Sequence, residues 1–512
     1  MEILTLTLVG LLSVILFLYW FFTKNYNHWE SHGVYSKKPT IFFGSIKDRA
    51  LMKISIHEYF RDFYMEMKGK PYVGIYEGTR PVLVILDPEL IKLILVKQFD
   101  HFMDRPIIKG KTEAYLNKIL VVLKGNEWKT TRTACSPAFS SGRLKAMIPL
   151  FDTCAKQMVQ YLNRVTAKND GITLDIRKVM INYTLNSIAS TSFGLNLDSY
   201  CDNNSEFTKN ALAFQDVSLL KRIITILCIL YEVPEWITTR LPLSFVNDES
   251  AQFFAKTIIQ TRNHRLKNNI RRNDLLQLLL DAQAAPVEVI GDTHEKISNE
   301  KREILDEETA ISQSVFFFLA AFETTSTHLT MVCYELAKNQ NVQEKSREEV
   351  LEYWSDDGLT YEAINSMCYL DMVMSESLRL YPPLPTLERE VTKPIVLNGL
   401  QLNSGAEIAI PITGLHLDPE YFPDPMLFKP ERFSPEEKSK RNPYVYLPFG
   451  TGPRNCLGLR FAQINSKICI AYLLKHYAIN ICDQTPLPFA YDPAAFFLKS
   501  KDDIVLQLTK II

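Results

Sequence analysis

Three groups of residues in this chain have types and spacings that could do chemistry. The first surrounds Cys456, in Pro448-Phe449-Gly450-Thr451-Gly452-Pro453-Arg454-Asn455-Cys456-Leu457-Gly458. A cysteine binds metal as the thiolate, and the thiolate needs cations or N–H donors beside it. Arg454 lies two residues away, and the apolar run Ala462 to Leu474 has helical spacing. The thiol would therefore sit at a helix start, where N–H groups point at it. Glycines at 450, 452 and 458 let the backbone approach a bound group closely. The plain alternative is a buried structural cysteine in a Gly-rich turn. The second group is Glu323-Thr324-Thr325, just behind Phe316-Phe317-Phe318-Leu319. An acid beside two hydroxyls in an apolar helix is a local conflict, costly unless partnered. The plain alternative is a bent helix whose threonines bond their own carbonyls. The third is Glu376 and Arg379, which share a helix face at i, i+3 and can pair.

The elements that must position these groups are mostly helical. Phe151 to Thr166, Arg177 to Phe193, Glu249 to Arg265 and Asp306 to Asn339 carry apolar residues at helical spacing. Strand signals are short: Tyr72 to Tyr76, Val82 to Ile85, Ile395 to Leu397 and Ile504 to Leu506. Strands and helices do not alternate regularly, which disfavours a doubly wound sheet. Lys267 to Glu308 reads as a polar, exposed connection, and the chain after Tyr381 as irregular and loop-rich.

Ile3 to Phe22 is a run of 20 residues without a charge. As a helix it spans ~30 Å, the hydrocarbon thickness of a bilayer. It ends in Tyr19-Trp20-Phe21-Phe22, and the start Met1-Glu2 lacks the basic region of a cleaved signal. A retained anchor over residues 1–23 is expected, then a linker over 24–48, then one catalytic domain over 49–512. Lys24, Lys37 and Lys38 place that domain in the cytosol. The sequons at Asn182 and Asn203 would then carry no glycan. Ile223 to Tyr231 is apolar but too short to cross; a buried helix is expected, with a surface dipping into the membrane as the rival.

Composition agrees. Of 512 residues 46% are hydrophobic, which excludes long disorder, and the mean hydropathy of −0.05 excludes a multi-span protein. The net charge of −1 gives no reason to expect nucleic acid. Nine cysteines without a CxxC read as reduced thiols.

Phe449-x-x-Gly452-x-Arg454-x-Cys456-x-Gly458 resembles the haem-binding loop of the cytochromes P450. Five fixed positions over some 500 starts arise by chance at ~10⁻⁴. The handful of other family motifs stands in order. Glu376-Ser377-Leu378-Arg379 resembles ExxR, and Pro430-Glu431-Arg432-Phe433 its partner, giving a structural Glu376–Arg379–Arg432 cluster. Trp128-Lys129-Thr130-Thr131-Arg132 resembles the WxxxR helix. The resemblance implies a mainly α fold with small β-sheets on one N-terminal transmembrane helix. It implies haem b with Cys456 as axial thiolate, a ligand that pushes electron density toward O–O cleavage. Trp128, Arg132, Arg389 and Arg454 would meet haem propionates, with Phe449 and Gly458 beside the ring. Thr324 would be the oxygen-side alcohol and Glu323 the acid delivering protons. Ala321 departs from the family's usual Gly.

The implied activity is monooxygenation of a lipophilic compound, a xenobiotic or toxin or an endogenous lipid-like molecule. The implied pocket includes the loop Asp104 to Val122, Phe316, Phe317, Ala320, Leu384 and Phe496. Electrons would come from NADPH through cytochrome P450 reductase, with cytochrome b5 as a further partner, at the endoplasmic reticulum membrane. Lys129, Lys438, Lys440, Arg441 and Arg460 are candidate reductase contacts. The closest likeness is to the microsomal clan of insect and mammalian toxin- and drug-oxidising enzymes. The rival activities are a P450-like peroxide isomerase or dehydratase and a non-catalytic haem sensor.

Overall fold

The computed structural model describes residues 2–107, 114–167, 171–202, 205–214, 216–241, 243, 246–284, 305–356 and 358–511. Residues 108–113 of the expected pocket loop, 285–304 of the expected connection and the sequon at 203–204 lie outside the described residues.

Helices named here are α1 (Glu2–Thr23), α2 (His28–Ser31), α3 (Gly125–Cys135), α4 (Ser141–Thr166), α5 (Ile176–Ile188) and α6 (Leu219–Leu230). They continue with α7 (Asp248–Asn268), α8 (Leu275–Ala284), α9 (Glu307–Lys338), α10 (Cys368–Leu380) and α11 (Leu459–His476). The strands are β1 (Tyr72–Glu77), β2 (Arg80–Ile85), β3 (Gly171–Asp175), β4 (Thr386–Glu390), β5 (Ile395–Leu397), β6 (Leu400–Leu402), β7 (Glu407–Pro411), β8 (Tyr477–Asn480) and β9 (Val505–Lys510).

Helix α9 organises the rest. It starts where the Asp306 carboxylate accepts from Thr309 N–H at 2.6 Å, an N-cap. It is apolar nearly all round, so it runs through the core and packs on α5, α7, α10 and α11. One large cluster joins α4, α5, α9, α10 and α11. A second joins the linker, through Trp29 and Val34, to the sheet β1-β2-β7-β4. Strand β4 pairs antiparallel with β7, Leu387 opposite Ile410 and Arg389 opposite Ile408. Two further sheets, β3-β9-β8 and β5-β6, close the chain's edges.

Helices α1 and α9 are each long and apolar enough to cross a membrane, but α9 is mostly buried in the fold and α1 is not. The aromatic end of α1 packs on the body: Phe22 lies 5.1 Å from Tyr231 and 4.4 Å from Phe42, ring to ring.

Two expectations are corrected. Helix α6 is not a buried helix: Leu220, Ile223 and Leu227 are exposed, and its buried side holds Thr225, Cys228 and Leu230. Spacing i, i+3, i+7 puts those three exposed apolar residues on one face. The stretch from Lys267 is not simply polar and exposed. Asp274 and Arg265 form a fully buried ion pair at 2.5 Å, and Leu275, Leu276 and Leu279 bury α8 against the core. The apolar run Leu-Leu-Gln-Leu-Leu-Leu carries that helix.

Candidate active site

The thiol sits in a turn that only glycine can make. Gly450 and Gly452 have φ of +66° and +74°, a region L side chains disfavour. A Cβ on Gly452 would lie 1.9 Å from the Leu95 carbonyl oxygen. Across the turn, Cys456 N–H donates to Phe449 O at 2.8 Å. Gly458 caps α11, and its N–H points at the sulfur. Cys456 keeps exposed surface, yet it is deep enough that burial raises its thiol pKa. The two facts together put it on the wall of an internal cavity. Offsetting the burial are the Gly458 N–H and the charges of Arg105 and Arg132. Arg454, expected to be the thiol's cation, turns the other way. It donates to Met103 O and to Leu123 O at 2.7 Å, and its guanidinium lies 4.8 Å over Trp128.

Helix α9 supplies the facing wall. Phe316, Ala320 and Thr324 follow at i, i+4, i+8, one stripe of the helix. Ala320 is exposed and the other two are half-buried, while Phe318 and Phe322 between them are buried. Phe316 and Leu457, the neighbour of Cys456, pack into the same two clusters, one with Trp128 and one with Cys135. The stripe and the thiol loop are therefore adjoining walls. Thr324 Oγ1 donates to Ala320 O at 2.6 Å, the back-bond of the plain reading. Glu323, a third of a turn away, is buried and accepts from Arg177 of α5 at 2.6 Å, with Thr327 Oγ1 beside the same guanidinium at 3.3 Å. The cost of burying that acid is thus met by a cation 146 residues away in sequence. Ala321 packs between the two largest helical clusters on α9. Phe317 is not on the stripe: its ring lies 5.3 Å from Phe139, edge-on, in a packed cluster. Leu384 is half-buried and Phe496 exposed, with Phe497 the nearest ring to it at 5.2 Å. Leu498 N–H on Pro383 O, at 3.1 Å, ties that terminal segment to the turn carrying Leu384.

Four guanidinium groups gather at the mouth between these walls. Arg132 donates to Asn455 O at 2.9 Å and to its side chain at 2.7 Å. Arg389 is buried, donates to Glu388 O at 2.7 Å, and among the described residues its Nε and Nη2 have no partner. Arg105 likewise leaves a buried Nε unpartnered. Burial, then Arg105 and Arg454, holds Arg389 well below the usual arginine range. Burial, then Arg105, pushes Arg454 down to about 9. The carboxylates acting on the cluster are Asp104 and Glu388. Buried unpartnered cations are costly, so the cluster fits a ligand that brings its own negative charge. Haem does so with two propionates, and its iron takes a thiolate. The residues present fit it.

Behind the loop, Arg379 grips Glu376 through two bonds of 2.8 Å, with neither side chain exposed. Arg432 reaches the same carboxylate at 3.3 Å. Arg379 also donates to His416 O at 3.0 Å, and His416 Nε2 accepts Leu447 N–H at 2.8 Å. The cluster thereby reaches the start of the cysteine loop. Arg441, expected as a docking cation, belongs here instead: it stacks 4.3 Å over Phe422 and donates to Arg432 O at 2.9 Å.

Sequence reasoning missed three of these residues. Arg105 lay within the expected pocket loop and Asn455 within the cysteine motif, neither with a role of its own, and Arg177 opened an expected helix. The signal for Arg177 was the buried acid itself, which required a partner.

A cysteine turn and an arginine-rimmed cavity against a central helix define a haem-thiolate protein. Residues 35–506 match the Cytochrome P450 family model. Cytochrome P450 9e2 of Blattella germanica is 35% identical, over 97% of this chain and 96% of its own length. Cytochrome P450 6a2 of Drosophila melanogaster is 32% identical over the whole of both chains. Lithocholate 6-beta-hydroxylase of Mesocricetus auratus is 33% identical over 99% and 97%. The chain belongs to the cytochrome P450 family; it is a monooxygenase, and the family's cofactor is haem with a cysteine thiolate on iron.

Proposed function

We propose that the chain is a membrane-anchored monooxygenase of lipophilic small molecules, of xenobiotic or lipid-like type, reduced by NADPH through cytochrome P450 reductase, with cytochrome b5 as a second donor. In this reading residues 1–23 hold the enzyme on the endoplasmic reticulum and the domain from residue 49 faces the cytosol. The observation that carries the reading is the pair of adjoining walls, Cys456 on one and the Phe316–Ala320–Thr324 stripe on the other, with unpartnered buried arginines at their rim. Haem, held by Cys456 Sγ below and by Arg105, Arg132, Arg389 and Arg454 at its propionates, would supply O₂ activation. The Gly458 N–H and the two nearest guanidiniums offset the burial that otherwise keeps the sulfur protonated. Phe449 and Gly458 leave room for the ring, and Trp128 packs the rim.

On the α9 wall, Thr324 Oγ1 would hold a proton facing the bound cofactor. It does so by exchanging its back-bond to Ala320 O for a water. Glu323 is the proton source behind it. Its Oε1 accepts from Arg177, which fixes the carboxyl's place behind Thr324. Ala320 and Phe316 give substrate an apolar wall, as the lipophilic class requires. One relative is named lithocholate 6-beta-hydroxylase, an oxygenation of the kind proposed.

The test is reconstitution of the full chain with reductase and NADPH against an apolar compound panel. Oxygenated product, with one ¹⁸O from ¹⁸O₂, is the expected result. Product formed without NADPH would instead favour peroxide rearrangement. No product, with haem bound, would favour a sensor.

A further inference from the structure

Well away from the cysteine, at the foot of the anchor, lies a cavity of about 210 Å³. Its walls come from α2, the start of β2, the turn after α6 and the β6–β7 turn, and they include His28, His32, Arg80, Glu232, Ser404 and Glu407. The two histidines stand at i, i+4 and so share a face. Their ring centroids are 4.6 Å apart. His32 Nδ1 lies 2.7 Å from His28 O. A carbonyl can only accept, so Nδ1 carries the proton and the Nε2 lone pair is free to bind. Metal-binding histidines are oriented in this way, the far nitrogen donating to a backbone carbonyl. Among the described residues the His28 ring has no hydrogen-bond partner, and it stands edge-on to Trp29 at 4.7 Å, which fixes its plane.

We propose that His28 and His32 bind one divalent ion of the zinc and copper class in this cavity. Imidazole nitrogen suits those ions, and copper(II) binds tightest among them. Among the described residues no three metal-ligating side chains converge on one point. The protein ligands of the proposed site are thus limited to the two imidazoles, with water to complete the shell. Glu232 lines the same cavity, its backbone held at φ +47° and its Oε2 accepting from Asn25 at 3.3 Å. Its carboxylate bonds a metal-bound water rather than the ion. The ion thus ties the linker to the turn after α6. Nothing in this proposal depends on the haem.

The experiment adds Cu²⁺ to the full-length holoenzyme in detergent and reads its EPR spectrum, then titrates Cu²⁺ with Zn²⁺ as competitor. One tight equivalent with two equatorial nitrogens is expected, displaced only by a large excess of Zn²⁺. His28→Ala and His32→Gln should each weaken it by about a hundredfold, and Glu232→Gln by about tenfold. His264→Ala, on exposed α7 surface, should change nothing, and all variants should keep the haem–CO spectrum. Unchanged binding in His28→Ala or His32→Gln overturns the site. So does a wild-type spectrum without two nitrogens.

Discussion

Whether Cys456 is a thiolate is decided by a competition the residues make visible. Burial opposes the charge, while one N–H and two guanidiniums favour it. A bound iron ends the contest, because a coordinated thiol is deprotonated outright. Cys456→Ser should therefore lose the red-shifted Soret band of the reduced CO complex; a variant retaining it rules out Cys456 as the ligand. On the opposite wall, Arg177→Ala removes the partner of a buried acid, at a cost of about 3–5 kcal/mol unless Glu323 takes up a proton. Without Arg177 the Glu323 carboxyl also loses the partner that fixes its place behind Thr324, so the variant should release more hydrogen peroxide per NADPH and less product. Glu323→Gln with Arg177→Ala should then be no worse than either alone. Additive losses would show that the two act separately. The cysteine, the acid and the alcohol were legible in the chain because each breaks a local pattern. Arg105 and Arg177 were not, since their meaning lies in partners more than a hundred residues away.

At the level of elements, loop and strand carry the site, and backbone geometry sets what they tolerate. Gly452→Ala meets both a positive φ and the Leu95 carbonyl, neither of which can yield, so it should cost about 2–4 kcal/mol with or without cofactor. Gly458→Ala meets nothing nearer than Phe139 at 3.9 Å and has an ordinary φ. Its apoprotein should melt like wild type while haem retention falls; equal retention would show that Gly458 has no part against the ring. Glu376→Ala strands Arg379 in the core and should lower stability by about 3–5 kcal/mol, read by denaturant midpoint. Glu407, the first residue of the interior strand β7, is raised to about 8 by burial, against one shared arginine, Arg80. A carboxyl that binds its proton more tightly when folded loses stability as pH rises from its unfolded value toward 8. Glu407→Gln should flatten that fall over about pH 4.5 to 8, and an unchanged slope would assign it to other groups. The long helices were legible from spacing alone. Strand β4 was not, because Glu388, Arg389 and Glu390 read as loop until pairing with β7 gives them alternate faces.

The whole molecule is asymmetric in a way neither the site nor any single element explains. The anchor α1 and the exposed apolar face of α6 meet through Phe22 and Tyr231, so both lie on one side of the body. A soluble surface that exposes Leu220, Ile223 and Leu227 together calls for a cover, and the membrane beside the anchor is the nearest one. Three such side chains, each about half buried on insertion, contribute on the order of 3 kcal/mol, about a hundredfold in partitioning. Chain lacking residues 2–23 should therefore still sediment with neutral phospholipid vesicles. Adding Leu220→Ser, Ile223→Ser and Leu227→Ser to that truncation should release it to the supernatant, with its haem–CO spectrum intact. Release by the truncation alone would leave α6 without a membrane role. Retention after both changes would place the contact on another face. In the proposed reading, one cofactor held by residues from Arg105 to Cys456 is why a single domain is expected over 49–512, and a membrane met by both α1 and α6 would set the side from which apolar substrate enters.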